Sequence, residues 1–155
     1  MFESCHSQQE IAHLYRGMGF DVSCSYQRVA LIASRSLGAV AMPAGIGARV
    51  RQVVEENDPI TTLPIISYRR TDRQWVFLVG PAAGNRVRRT GPAALEDAGV
   101  RILESGQRVW LPMTDQPIGW YWVSPPVSAR MLPSRTTVVA AALRQLTAAR
   151  QSTRR

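Results

Sequence analysis

Apolar positions along the 155-residue chain recur with two different periods, and the switches between them mark off its elements. Ser7-Gln8-Gln9-Glu10 has the form of a capping box, in which Ser7 accepts from the amide three residues on and Glu10 reaches back. Ile11, Leu14, Tyr15 and Met18 follow at helical spacing until Gly17 and Gly19 stop the helix. Phe20–Cys24 reads as a short strand. Val29–Ala33 and Leu37–Met42 are apolar runs joined by Ser34-Arg35-Ser36, which predicts a hairpin. Pro43 and Gly45 open a helix with Ile46, Val50, Val53 and Val54 on its apolar face, and Asn57 closes it.

The second half repeats this alternation. Leu63–Tyr68 and Gln74–Val79 predict a second hairpin with Arg69–Arg73 as its turn. A loop rich in Gly, Pro and Arg covers residues 80–90, and Pro92 then starts a short helix that Gly99 ends. Val100–Leu103 and Gln107–Leu111 predict a third strand pair around Glu104-Ser105-Gly106. Trp120–Val123 predicts a last strand, broken by Pro125-Pro126. Ser134 caps a final helix with Val139, Ala142, Leu143 and Leu146 on one face. Hairpins interspersed with helices imply an α+β fold, a mixed, mostly antiparallel sheet built from hairpins with flanking helices. Residues 1–150 are expected to form a single domain and residues 151–155 a frayed basic tail.

Composition narrows the function classes. Apolar residues make up 45% of the chain, which argues against disorder, and no run approaches the roughly 20 apolar residues of a membrane span. Met1–Glu10 is polar without a signal-peptide pattern, so the expectation is a soluble cytoplasmic protein without membrane association. Cys5 and Cys24 are too few for a zinc site or a disulfide framework, and neither metal nor cofactor is expected. Cys24 reads as a small buried strand residue, and His6 and His13 as surface side chains. All 19 basic residues are Arg, so lysine nucleophiles and Schiff bases are excluded.

Charge is unevenly spread. Residues 1–67 hold five Arg and six acids, a net of −1, whereas residues 68–155 hold fourteen Arg and five acids, a net of +9. The excess lies in Arg69, Arg70, Arg73, Arg86, Arg88 and Arg89, and in the stretch from Arg130 to Arg155, which has no acid. Such asymmetry fits an anionic partner or a solvated basic face. Neither Gly45-Ile46-Gly47 nor Gly80-Pro81-Ala82-Ala83-Gly84 forms a phosphate-loop fingerprint, and the acids are scattered. Trp110, Trp120, Tyr121 and Trp122 form the densest aromatic cluster, with Trp120 and Trp122 on one strand face and Tyr121 on the other. The Trp residues are candidates either for stacking on bases or for packing the core beneath a helix.

The order of motifs then resembles a known family. Arg28–Gly45 resembles the first catalytic hairpin of the archaeo-eukaryotic-type primase-polymerases, the bifunctional DNA primase/polymerase N-terminal domain. Thr71–Leu78 is similar to that family's small-residue, Arg, His and hydrophobic strand. Ala98–Leu103 through Val109–Pro112 resembles its Gly-Val-Asp region, and Pro117–Trp122 its turn and strand of Pro, Gly, Tyr and Trp. The likeness spans roughly residues 28–126 and extends to small actinobacterial proteins of this type.

Carried over residue by residue, the resemblance implies a degenerate site. The family's paired aspartates fall on Pro43 and Gly45, its histidine on Gln74, and its third carboxylate on Arg101. Nucleotidyl transfer needs carboxylates that hold divalent ions, and Pro and Gly offer no side-chain oxygen. The chain is therefore expected not to be an enzyme. It is expected to bind nucleic acid or nucleotide through Arg69, Arg70, Arg73, Arg86, Arg88, Arg89 and Arg101, with Trp110, Trp120 and Trp122 as candidate stacking residues. The alternative is a regulatory protein–protein interaction module, homodimeric or bound to an acidic protein partner, without affinity for nucleic acid.

Overall fold

The computed structural model describes residues 1–83 and 92–152. Helix α1 (Gln8–Gly17) begins as its capping box predicts. Ser7 Oγ accepts from Glu10 N at 3.2 Å, and the Glu10 carboxylate accepts from His6 N at 2.5 Å and Ser7 N at 3.1 Å. These bonds, that of His6 foremost, hold the Glu10 carboxyl below its ordinary value of 4.5. Ser7→Ala is expected to cost about 1 kcal/mol of stability, read by urea denaturation. The Glu10 contribution is complete above the unfolded carboxyl's pKa and is lost as pH falls through the depressed folded one. Glu10→Gln is therefore expected to lose less stability than the wild type on acidification below about pH 5, read by urea denaturation.

The remaining elements are β1 (Val22–Ser25), β2 (Arg28–Ile32), β3 (Gly38–Pro43), α2 (Ala44–Asn57), β4 (Ile65–Tyr68) and β5 (Gln74–Val79). They are followed by α3 (Pro92–Asp97), β6 (Arg101–Ile102), β7 (Arg108–Trp110), β8 (Trp120–Ser124), a 3-10 turn at Ala129–Met131, and α4 (Arg135–Ser152). The fold is α+β and its ladders are antiparallel, but they form two sheets where the sequence predicts one. The smaller sheet has the order β1-β2-β7 and the larger the order β6-β3-β5-β4-β8. Within the larger sheet, β3-α2-β4-β5-α3-β6 follows the split β-α-β plan, with β3 and β5 side by side at the centre.

Only one of the three predicted hairpins forms, that of β4 and β5. The runs expected to fold back on themselves at Ser34-Arg35-Ser36 and Glu104-Ser105-Gly106 pair with each other instead. Ala30 lies opposite Trp110 and Ile32 opposite Arg108 in the smaller sheet, then Val40 opposite Ile102 and Ala41 opposite Arg101 in the larger. Residues 33–39 thus answer residues 103–107, and the longer stretch bulges at the corner where the ribbon passes between sheets. Ser34 N donates to Leu37 O, and Gly106, at φ +90°, helps turn the facing corner. These turn residues bend a long-range ribbon rather than close two local ones.

Alternation in the larger sheet feeds two cores. Val40, Met42, Ile65, Phe77 and Val79 pack with buried residues of α2 and α4, including Val50, Val54, Val138 and Ala142. Ala39, Ala41, Ile66, Val76 and Leu78 belong to a second core with α1 and the smaller sheet, around Tyr15, Phe20, Val29 and Leu31. Cys24 is exposed rather than buried, because it sits on the outer strand of the smaller sheet close to its turn. Among the described residues, no helix is long and apolar enough to cross a membrane.

Candidate nucleic-acid interface

Three of the four positions that the resemblance singles out come together at one end of the central strands. Gln74 lies opposite Pro43 across β5 and β3, and Arg101 lies opposite Ala41 across β6 and β3. Gly99, at φ +74°, turns the chain from α3 into β6, and a Cβ built there would stand 3.3 Å from Pro43 Cγ. That close approach seats β6 against β3, and the Arg101 guanidinium donates to Gln74 Oε1 at 3.2 Å. Gly45 lies apart, exposed in the first turn of α2. Gln74 and Arg101 line the cleft described next, whereas Pro43 and Gly45 do not.

The cleft, about 1200 Å³, opens where the two sheets part. The smaller sheet contributes Arg28, Arg108 and Trp110, which register places on one strand face because Ala30 is opposite Trp110 and Ile32 opposite Arg108. The two guanidinium carbons stand 5.8 and 5.4 Å from the Trp110 ring centroid. The larger sheet contributes a second aromatic site. Tyr68 and Trp120, opposite each other across β4 and β8, meet edge to face at 5.0 Å, and the Arg70 guanidinium carbon lies 5.1 Å from the Tyr68 ring centroid. Arg135, from the start of α4, also lines the cleft and donates to Ser34 O at 3.2 Å.

Electrostatics follow from this placement. Five arginines share the cleft with three acids, Asp72, Glu96 and Glu104. Among the described residues, no carboxylate comes within ion-pair distance of Arg28, Arg70, Arg101 or Arg108. A cation held over an aromatic ring gains roughly 0.5–1 kcal/mol and keeps its in-plane N–H donors free for an incoming oxyanion. Two like charges on one indole repel, and a phosphate between them would relieve that repulsion.

The other expected residues divide. Arg69 and Arg73 are exposed in the β4–β5 turn and lie outside the cleft. Arg86, Arg88 and Arg89 fall outside the described residues. Trp122 is half-buried and lies outside the cleft lining, where its Nε1–H donates to the buried Tyr15 hydroxyl at 3.0 Å and its ring packs against Tyr15. Arg28, Arg108, Arg135 and Tyr68 are basic and aromatic lining residues absent from the candidate set. The available signal was strand alternation, which puts Arg108 and Trp110 on one face and separates them from Val109. His6 and His13 are exposed, and among the described residues no three His, Cys, Asp or Glu side chains gather closely enough to hold a metal ion. Comparison with models of known protein families, with curated proteins and with solved structures finds no match.

Proposed function

We propose that the protein binds single-stranded nucleic acid along the cleft between its two sheets and carries out no chemistry on it. The observation that carries this reading is the Trp110 indole, attended by Arg28 and Arg108 with no carboxylate partner among the described residues, in the same cleft as Tyr68, Trp120 and Arg70. Aromatic faces accept unstacked bases of any sequence, and guanidinium forks take the phosphates between them. The likeness to primase-polymerases supports the same ligand class. At the positions of that family's metal ligands this chain has Pro43, Gly45, Gln74 and Arg101, so a fixed cation stands where a mobile one would be held.

The test is fluorescence anisotropy with a labelled oligo-dT of about 12 nucleotides. If about four arginines each neutralise one phosphate, raising salt from about 50 to 200 mM weakens binding roughly 50-fold. No binding at the lower salt would overturn the proposal. The absence of chemistry is tested separately with a primed template, nucleoside triphosphates and magnesium or manganese, where any primer extension refutes it. A second reading, a protein-interaction module, is favoured by the exposed side chains of Ile60, Val127 and Met131. The loops of Ile60 and Met131 are joined by a bond from Thr62 Oγ1 to Met131 O. It predicts indifference to the strand at every salt concentration.

A further inference from the structure

Strands β1 and β2 are joined by a two-residue loop, Tyr26-Gln27, closed by the facing pair Ser25 and Arg28. Both loop residues have left-handed backbone, at φ 50° and 55°. A hairpin loop of this kind suits Asn-Gly or Gly-Gly, because L side chains crowd the backbone at positive φ. Tyr and Gln hold it under strain. Tyr26 is 84% exposed, more than any other large apolar or aromatic residue described, and it makes no ring contact with another aromatic side chain among the described residues. A residue kept in an unfavourable conformation without packing of its own points to a role outside the fold.

Its location says which role. Two residues on, Arg28 lines the cleft with its guanidinium over Trp110. The loop therefore forms the end of the strand pair that carries Arg28 into the cleft, and the exposed Tyr26 lies outside the lining itself. We infer that Tyr26 is a third stacking platform, which takes a base of the strand where it leaves the cleft. This rests on the strand-binding function proposed above and adds to it a contact outside the cleft. The strained loop is thus a binding device, which keeps an exposed ring at a position where Asn-Gly would be more stable.

The test separates stability from binding. The double variant Tyr26→Asn with Gln27→Gly relaxes the loop, and its melting temperature rises by roughly 3–8 °C. The same variant binds the labelled oligo-dT about 5- to 100-fold more weakly at low salt. Gln27→Gly alone is stabilised and binds normally, and Tyr26→Phe, which keeps the ring, also binds normally. Unchanged affinity in the double variant, with the wild-type protein binding the strand, overturns this inference and leaves the cleft proposal standing. Unchanged melting temperature overturns it equally, since the loop would then carry no strain. Failure of the wild-type protein to bind removes the cleft proposal itself and this inference with it.

Discussion

Tyr15→Ala is expected to destabilise the protein by about 3–5 kcal/mol, which lowers the melting temperature by roughly 6–20 °C. The ring is fully buried where α1 meets both sheets, and it touches Phe2, Phe20 and Trp122. Its hydroxyl donates to Pro112 O at 2.7 Å and accepts from Trp122 Nε1 at 3.0 Å, so it ties the segment after β7 to β8. Tyr15→Phe keeps the ring and orphans both partners, for a loss of about 1–3 kcal/mol. Burial also pushes the Tyr15 phenol far above its ordinary value of 10, an effect that the Trp122 hydrogen bond only partly offsets. Because the folded state keeps this proton longer than the unfolded chain, stability is intact below about pH 10 and declines as pH rises further. Tyr15→Phe is therefore less stable at neutral pH but loses less on going alkaline. Denaturant midpoints at pH 7 and about pH 11 check both signs. A parallel decline in the two proteins would show that the hydroxyl is not held as described.

What the sequence makes legible is what is local. The capping box of α1, the β4–β5 hairpin around Arg69–Arg73, and Pro43 at the start of α2 are each decided within a few residues. The pairing of β2 with β7 and of β3 with β6 is not, because Ala30 and Trp110 lie far apart in the chain and nothing in either run names its partner. Their flanking turns carry ordinary hairpin chemistry, so local pairing was the natural expectation, and a corner satisfies the same residues. The candidate site inherits that division. Arg70, Trp110 and Trp120 were visible as members of a basic or aromatic cluster, Arg101 only through the family resemblance, and all four line the cleft. Arg28 was hidden by the charge count itself, since it belongs to the half with net charge −1 and joins the basic half only through strand register. Tyr68 was likewise invisible as an aromatic until β4 met β8. Arg69 sits beside Arg70 in sequence, yet only Arg70 reaches an aromatic ring lining the cleft.

Trp110→Ala is expected to weaken single-strand binding by about 5- to 150-fold, the value of one lost base stack, while leaving the salt dependence nearly unchanged. Arg28→Gln and Arg108→Gln should do something different. Each removes one phosphate contact, so each lowers the slope of log affinity against log salt by about 0.7. Arg69→Gln, an exposed neighbour outside the cleft, serves as the control for general surface charge. The three groups at Trp110 are also coupled, because the two guanidinium carbons stand 5.8 and 5.4 Å from the same ring centroid. Combining Trp110→Ala with Arg108→Gln should therefore cost less than the sum of the two single losses, with a coupling of about 0.5–1 kcal/mol. Anisotropy titrations of the wild-type protein, the single variants and the double variant at three salt concentrations measure all of these quantities. If Arg69→Gln lowers the slope as much as Arg108→Gln, and Trp110→Ala binds like the wild type, the strand is held by diffuse charge over the basic half. The cleft would then have no privileged part in binding.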